Sequence, residues 1–288
     1  MTAKHPSRRA FLGSALALAG ASRLPAKTVP VGLELYSVRE SLKDDLMGTV
    51  AGVAKLGYDV VEFYSPYFEW TDAYAKQVRA HLDDLGIACR SLHSPAKAFA
   101  AEGRQRTVEL NGILGSTCPV MASPGRRVED ADGWKRVAED LTASQEVFAK
   151  AGMRAGYHNH GFEWRPVAGA GKARHAMDIL ADGTPEGVAL QLDVGTCVHE
   201  GKDPVAWIKK HPGRIRSLHL KDWAPGEESD EKGYRVLFGE GVSPWKKIFA
   251  AAESVGGVEF YLIEQEGSRF SEMETAERCL QSFREIHG

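Results

Sequence analysis

Eight times between Val31 and Glu264 a short run of β-branched, aliphatic and aromatic residues recurs, and longer segments with helical spacing separate the runs. The runs span 31–36, 59–63, 87–93, 117–122, 154–159, 188–193, 215–220 and 258–264. Most are about half a dozen residues long, the length of a strand buried on both faces. Helical spacing covers 42–56, 71–85, 104–114, 133–151, 173–180, 204–210, 243–254 and 272–286. Gly57, Gly86, Gly152 and Gly256 stand where four helices must stop, because glycine accepts the left-handed geometry of a helix C-terminus. Strands alternating with helices build a parallel sheet, and eight such units close into a (β/α)8 TIM barrel of roughly 250 residues. The rival is an open doubly wound sheet, which carries a glycine-rich dinucleotide turn after its first strand. Here the first run leads into Ser37-Val38-Arg39-Glu40, so the barrel is preferred. No second composition zone interrupts 22–288, which reads as one α/β domain.

The first 21 residues have another texture. Ser7-Arg8-Arg9-Ala10-Phe11-Leu12 precedes an apolar run over 11–21 that ends in Ala19-Gly20-Ala21. Basic residues, a short apolar stretch and small residues are the layout of an export signal, and the paired arginines resemble the twin-arginine type. Residues 1–21 are therefore expected to be a signal peptide, with delivery to the periplasm or the exterior. The apolar run is shorter than the roughly 20 residues that span a bilayer, so no stable membrane insertion is expected. Loss of Lys4, Arg8 and Arg9, with no acid in that stretch, takes the formal charge from −3 to −6. That balance weighs against a nucleic-acid partner. The four cysteines form no C-x-x-C pair, and buried thiols are the default reading.

In such a barrel the chemistry sits at the C-terminal ends of the strands. Seven of the eight runs end in strong polar groups. They are Glu34 and Tyr36, Glu62, His93, then Tyr157-His158-Asn159-His160, Asp193, His219-Leu220-Lys221-Asp222 and Glu264-Gln265-Glu266. The fourth run, ending near Met121-Ala122-Ser123, is the exception. Imidazole and carboxylate converging on one mouth suit one divalent metal, of the Zn, Mn, Co or Fe kind rather than calcium. The stretch over 222–241, rich in Gly, Glu and Asp, is long enough to serve as a lid, and Trp223 at its start could stack on a ligand face or pack beneath the lid.

Four stretches carry a wider likeness: Gly32-Leu33-Glu34-Leu35-Tyr36-Ser37-Val38-Arg39, Tyr157-His158-Asn159-His160-Gly161-Phe162-Glu163, Leu192-Asp193-Val194-Gly195 and Leu218-His219-Leu220-Lys221-Asp222. Together they resemble the xylose-isomerase-like sugar isomerase/epimerase superfamily, in particular its exported branch. The resemblance implies one metal held from strands five to eight, which places ligands at Asp193, His219 and Glu264. The fifth-strand ligand is a glutamate in many members. His158 stands there in this chain, and Glu163 in the following loop is the alternative. The resemblance further implies Glu264 as a base, with His160 and Lys221 as the other proton-transfer candidates. Tyr36, Glu62, His93 and Trp223 would line the substrate. The implied activity is metal-dependent isomerisation, epimerisation or 3-keto-glycoside elimination, by proton abstraction next to a carbonyl through an enediolate. The partner is then a small sugar or glycoside, and assembly as a homo-oligomer stays open. Two alternatives remain. One is a non-catalytic sugar-binding barrel, which would have lost ligands. The other is a DNA-repair endonuclease of the same superfamily, which needs a basic groove.

Overall fold

The computed structural model describes residues 1–2, 29–171, 174–226 and 233–288. Arg8, Arg9 and the apolar run of the expected signal peptide lie outside the described residues. Eight parallel strands close into a barrel in sequence order: β1 Val31–Glu34, β2 Val60–Phe63, β3 Ala88–Ser94, β4 Cys118–Met121, β5 Gly156–His158, β6 Ala189–Asp193, β7 Ser217–Leu220 and β8 Phe260–Ile263. Each lies within its expected run or overshoots it by one residue, and β8 closes the ring by pairing with β1. The principal helices are α1 Arg39–Asp44, α2 Leu46–Leu56, α3 Asp72–Leu85, α4 Arg104–Leu114, α5 Ala131–Ala149, α6 Ala176–Gly183, α7 Val194–His199, α8 Pro204–Lys210, α9 Trp245–Ala251 and α10 Glu272–His287. Among the described residues no helix is long and apolar enough to cross a membrane.

Three departures from the expected helices have local causes. The single helix expected over 42–56 is two, because Asp45 takes an extended backbone and caps α2 by accepting from Gly48 N at 2.9 Å. A π turn over Ala252–Gly256 follows α9, which moves the left-handed residue from Gly256 to Gly257. The unexpected helix α7 starts directly on β6. The Asp193 side chain caps it by accepting from Thr196 N. Residue 173, the expected start of the sixth helix, lies outside the described residues, and α6 begins at Ala176 behind a His175–Asp178 capping box.

Alternate residues of each strand face inward or outward. The outward set, Leu33, Val61, Leu92, Tyr157, Leu190, Leu218 and Ile263 among them, joins the helices in one large apolar layer. The inward set is filled by side chains and graded along the axis. Its floor is apolar, with Val60, Phe260 and Leu262 in one cluster and Cys118, Val120 and Ala189 in another. Above it the interior turns polar. A bulge decides which β3 residues join that interior. Val61 pairs with Cys89 but Glu62 pairs with Ser91, so Arg90 is the extra residue. The shift leaves Cys89 in the outer layer and swings Ser91 and His93 inward. All four cysteines are free and buried.

Gly32 sits on β1 against β2, where an added Cβ would lie 2.6 Å from the Val60 carbonyl oxygen. Gly32→Ala should therefore force β1 and β2 apart and cost about 1–3 kcal/mol. A thermal melt followed by circular dichroism checks this, and an unchanged midpoint would show that the barrel wall yields freely there.

Candidate metal centre and its mouth

Glu62 lies at the middle of the barrel and is fully buried. Ser91 Oγ donates to one of its oxygens, as does Gln191 Nε2 at 3.0 Å. Its other oxygen lies 2.8 Å from His219 Nε2 and 3.1 Å from His93 Nε2. Burial favours the neutral acid, but His93, His219 and Ser91 outweigh it and hold Glu62 at about 2. His219 has its second nitrogen, Nδ1, 2.7 Å from Glu264 Oε2. Burial disfavours its charged form, yet the two carboxylates raise it to about 10, so the ring is an imidazolium at neutral pH.

Gln191 sets the neighbouring rings. Its amide nitrogen donates to Glu62 and to Ser217 Oγ, both at 3.0 Å. Its oxygen faces His93 Nε2 at 2.8 Å and His158 Nδ1 at 3.1 Å. An amide oxygen only accepts, so His158 carries its proton on Nδ1 and keeps the lone pair on Nε2. Burial first, then the cationic side of His219, holds His158 well below the ordinary histidine range.

The donor atoms of His158, Asp193 and Glu264 all lie within 4.8 Å of one another. Asp193 is divided in its work. Oδ1 caps α7, while Oδ2 is buried with no hydrogen-bond partner. Asn159 locks this corner, accepting from Asp193 N at 3.0 Å and donating to Thr196 Oγ1 at 3.0 Å. Burial raises Asp193 to about 6, with Glu264 adding to the effect and Lys221 opposing it. Glu34 is buried too, with Oε2 unpartnered, and burial together with Glu62 and Glu264 raises it well above the carboxylate range. The interior thus holds more carboxyl groups than cations. A neutral imidazole, an unpartnered carboxylate oxygen and a second carboxylate at this spacing are a donor set that fits one divalent ion.

Lys221 rises from the end of β7 into this group. Its Nζ is paired with Glu266 and lies 3.8 Å from Glu264 Oε1 and 4.0 Å from Asp193 Oδ2. Burial opposes its charge, but the three acids prevail and keep it an ammonium. Above it a cavity of about 610 Å³ opens between His160, Thr196, Tyr234 and Glu266.

The expected site residues fall into three settings. His158, Asp193 and Glu264 converge. His219 adjoins them but has both nitrogens engaged by carboxylates, so it can ligate only by releasing one of them. Glu163 accepts from the Tyr157 hydroxyl at 2.7 Å and from His160 N at 2.8 Å, and both its oxygens are used in shaping that loop. Glu62 and His93 sit below the centre, within the buried network. His160, Tyr36 and Trp223 are on the rim. His160 is half-exposed, and although burial works against its charge, Glu163 raises it above the ordinary value. Tyr36 packs edge-on against Tyr64 beneath the Arg39 guanidinium. Trp223 lies against the His199 ring, within the β7–α9 connection. That connection is pinned by Asp222, which accepts from the backbone nitrogens of Trp223, Gly239, Gly241 and Ser243 and from Trp245 Nε1. The fit of the segment as a lid rests partly on 227–232, outside the described residues. Sequence reasoning missed Gln191, Ser91, Ser217 and the anchoring role of Asp222. Gln191 and Ser217 lie two residues before Asp193 and His219, so strand alternation alone could have placed them inside.

Residues 50–286 match the family described as Xylose isomerase-like TIM barrel. The chain belongs to that family. Among similar proteins, inosose dehydratase from Geobacillus thermodenitrificans is 29% identical over 147 residues, covering 46% of this chain and 47% of that protein. The match thus spans about half the length of the relative. A solved sugar phosphate isomerase/epimerase from Parabacteroides distasonis superposes with a TM-score of 0.74 at 25% identity, covering 91% of this chain and 96% of that one. The IolI protein, solved with a zinc atom, shares the fold at a TM-score of 0.66 and 16% identity, covering 89% and 97% of the two chains.

Glu62→Gln keeps the shape of the hub and removes its charge. The His219 imidazolium loses one of its two partners, so its pKa should fall from about 10, and stability should drop by about 3–5 kcal/mol. Ring-nitrogen NMR titration and a denaturant melt read the two effects, and an unmoved His219 titration would refute the hub.

Proposed function

We propose that this protein is a divalent-metal-dependent enzyme of sugar or cyclic-polyol ketones that removes a proton from the carbon beside the carbonyl. The observation that carries this reading is the convergence of His158, Asp193 and Glu264, with the buried Asp193 Oδ2 taking no hydrogen bond, at the C-terminal mouth of the barrel. The inosose dehydratase and isomerase/epimerase relatives support a sugar-type substrate. Those three residues would hold the ion, and His219 would join them on giving up a carboxylate partner. When bound, the ion supplies positive charge to the carbonyl or hydroxyl oxygen of the substrate.

The base is Glu264. Burial favours its neutral form, but Lys221 and His219 outweigh burial and hold it below the ordinary carboxylate range. Lys221, kept as an ammonium, donates to the oxygen that gains charge in the enediolate. His160 on the rim, raised above its ordinary value, delivers a proton to a leaving oxygen or to the neighbouring carbon. Isomerisation, epimerisation and elimination share the first step and part only in where the proton or leaving group goes next.

In deuterated water, deuterium should enter the carbon beside the carbonyl of a responsive keto-sugar. Chelation or Asp193→Ala should abolish turnover, and Glu264→Gln should slow exchange by about 100-fold or more. Because Asp193 is protonated below about 6, metal affinity measured by calorimetry should weaken as pH falls through that value. Full activity after metal removal, with no exchange and no isotope effect, would sink the mechanism.

The proposed route to its workplace is twin-arginine export, supported by Ser7-Arg8-Arg9-Ala10-Phe11-Leu12 ahead of the apolar run. Replacing Arg8 and Arg9 by lysine should hold the protein in the cytoplasm, as cell fractionation would show; undiminished export would refute the route.

A further inference from the structure

The fourth strand brings no charged or metal-binding group to the centre, and the loop that follows it has another use. The segment from Ser123 to Glu129 forms one side of a second cavity, of about 680 Å³. Its other side comes from the loop after β5, with Phe162, Arg165 and Val167, and Trp134 of α5 closes it. Phe162 and Arg165 also line the cavity above Lys221, so the two cavities share a wall. Phe162 is one of the few large hydrophobic side chains in the described residues that remain exposed, at 43%. Its ring lies 5.8 Å from that of His160 with planes 10° apart, and 6.2 Å from that of Trp134 with planes tilted by 31°.

Trp134 is buried, while Phe162 leaves apolar surface exposed between the mouth and the second cavity. A cavity of several hundred Å³ is the size of a ligand site, and the mouth cavity of about 610 Å³ already exceeds what one sugar ring fills. The walls of the second cavity also have two characters. Val128, Pro124, Pro166 and the Trp134–Phe162 pair are apolar, while Arg126, Arg127 and Arg165 are cationic, Arg127 being paired with Glu129 and Arg165 with Glu200. That combination suits a ring with an apolar face and a hydroxylated edge.

We propose that this second cavity is a subsite for a second ring of the substrate, so that the enzyme takes glycosides of two rings, with the keto-sugar ring over the metal centre and its ring substituent across Phe162. The proposal rests on the function proposed above and deepens it by naming the substrate class. Stacking on Phe162 holds the second ring, and the same ring keeps His160 in place next to the bond that joins the two.

The test compares kcat/KM for a one-ring keto-sugar with that for the same sugar carrying a glucosyl or a phenyl substituent. The wild-type protein should prefer a two-ring compound by at least about tenfold, mostly through KM. The arms separate the sources: a preference for glucosyl identifies a disaccharide, and one for phenyl identifies an aryl glycoside. Phe162→Ala, which removes the stacking face, and Val128→Trp, which fills the cavity from its far wall, should both bring the ratio towards one. A variant that merely misfolds lowers both rates and leaves the ratio. Equal kcat/KM in the wild type, or a ratio preserved by both variants when circular dichroism shows them folded, overturns the subsite while leaving the function of the centre intact. Absence of turnover on every keto-sugar counts against the centre instead. Calorimetric binding of phenyl β-glucoside then decides the subsite alone: tenfold weaker binding in both variants sustains it, and equal binding overturns it.

Discussion

Everything at the barrel mouth depends on a buried carboxylate, Glu62, and on how its charge is met. It lies at full burial and takes hydrogen bonds from β3, β6 and β7. A carboxylate in that position is tolerable only when paired, and the His219 imidazolium supplies the charge. His219 in turn links Glu62 to Glu264, so an anion deep in the interior and a carboxylate at the mouth share one cation. Glu34 and Asp193 are left over. Burial chiefly, with neighbouring carboxylates adding to it, raises both above the carboxylate range, and under the proposed function a divalent cation meets that surplus of acid.

The same economy of position shows in Asp193 and Gln191. One oxygen of Asp193 starts a helix, which fixes the carboxylate plane and leaves the other oxygen aimed at the centre. Gln191 uses all four of its hydrogen-bonding valences on Glu62, Ser217, His93 and His158. By accepting from His158 Nδ1 it presents the other nitrogen with its lone pair free. Orientation in this site therefore comes from neutral amides and backbone groups, while charge comes from a few ionised side chains.

The strand without a polar terminus gains meaning from this arrangement. A barrel mouth crowded on seven sides by groups facing the centre has little room for a larger substrate except where one strand withholds its side chain. The loop after β4 forms one side of a cavity there that shares Phe162 and Arg165 with the cavity at the mouth.

Much of this was legible in the sequence. The eight-fold alternation of short and helical segments determined the closed parallel barrel, because strands buried on both faces and helices of intermediate length admit few other arrangements. The polar strand ends determined where the site lies, since those ends meet at one mouth in any such barrel. Asp193, Glu264 and His158 were visible for that reason. What only the tertiary structure decided was pairing and parity. Period-two reading puts Cys89, Ser91 and His93 on one face, and the bulge opposite Glu62 separates them. Nothing local announces that extra residue, because it is set by the register of the neighbouring strand. Nor could the sequence show that His219 has both nitrogens engaged, that Glu163 is spent on its own loop or that Lys221 stays charged. Protonation and hydrogen bonding in a buried cluster follow from distances of a few ångström between residues far apart in the chain, and those distances exist only once the barrel has closed.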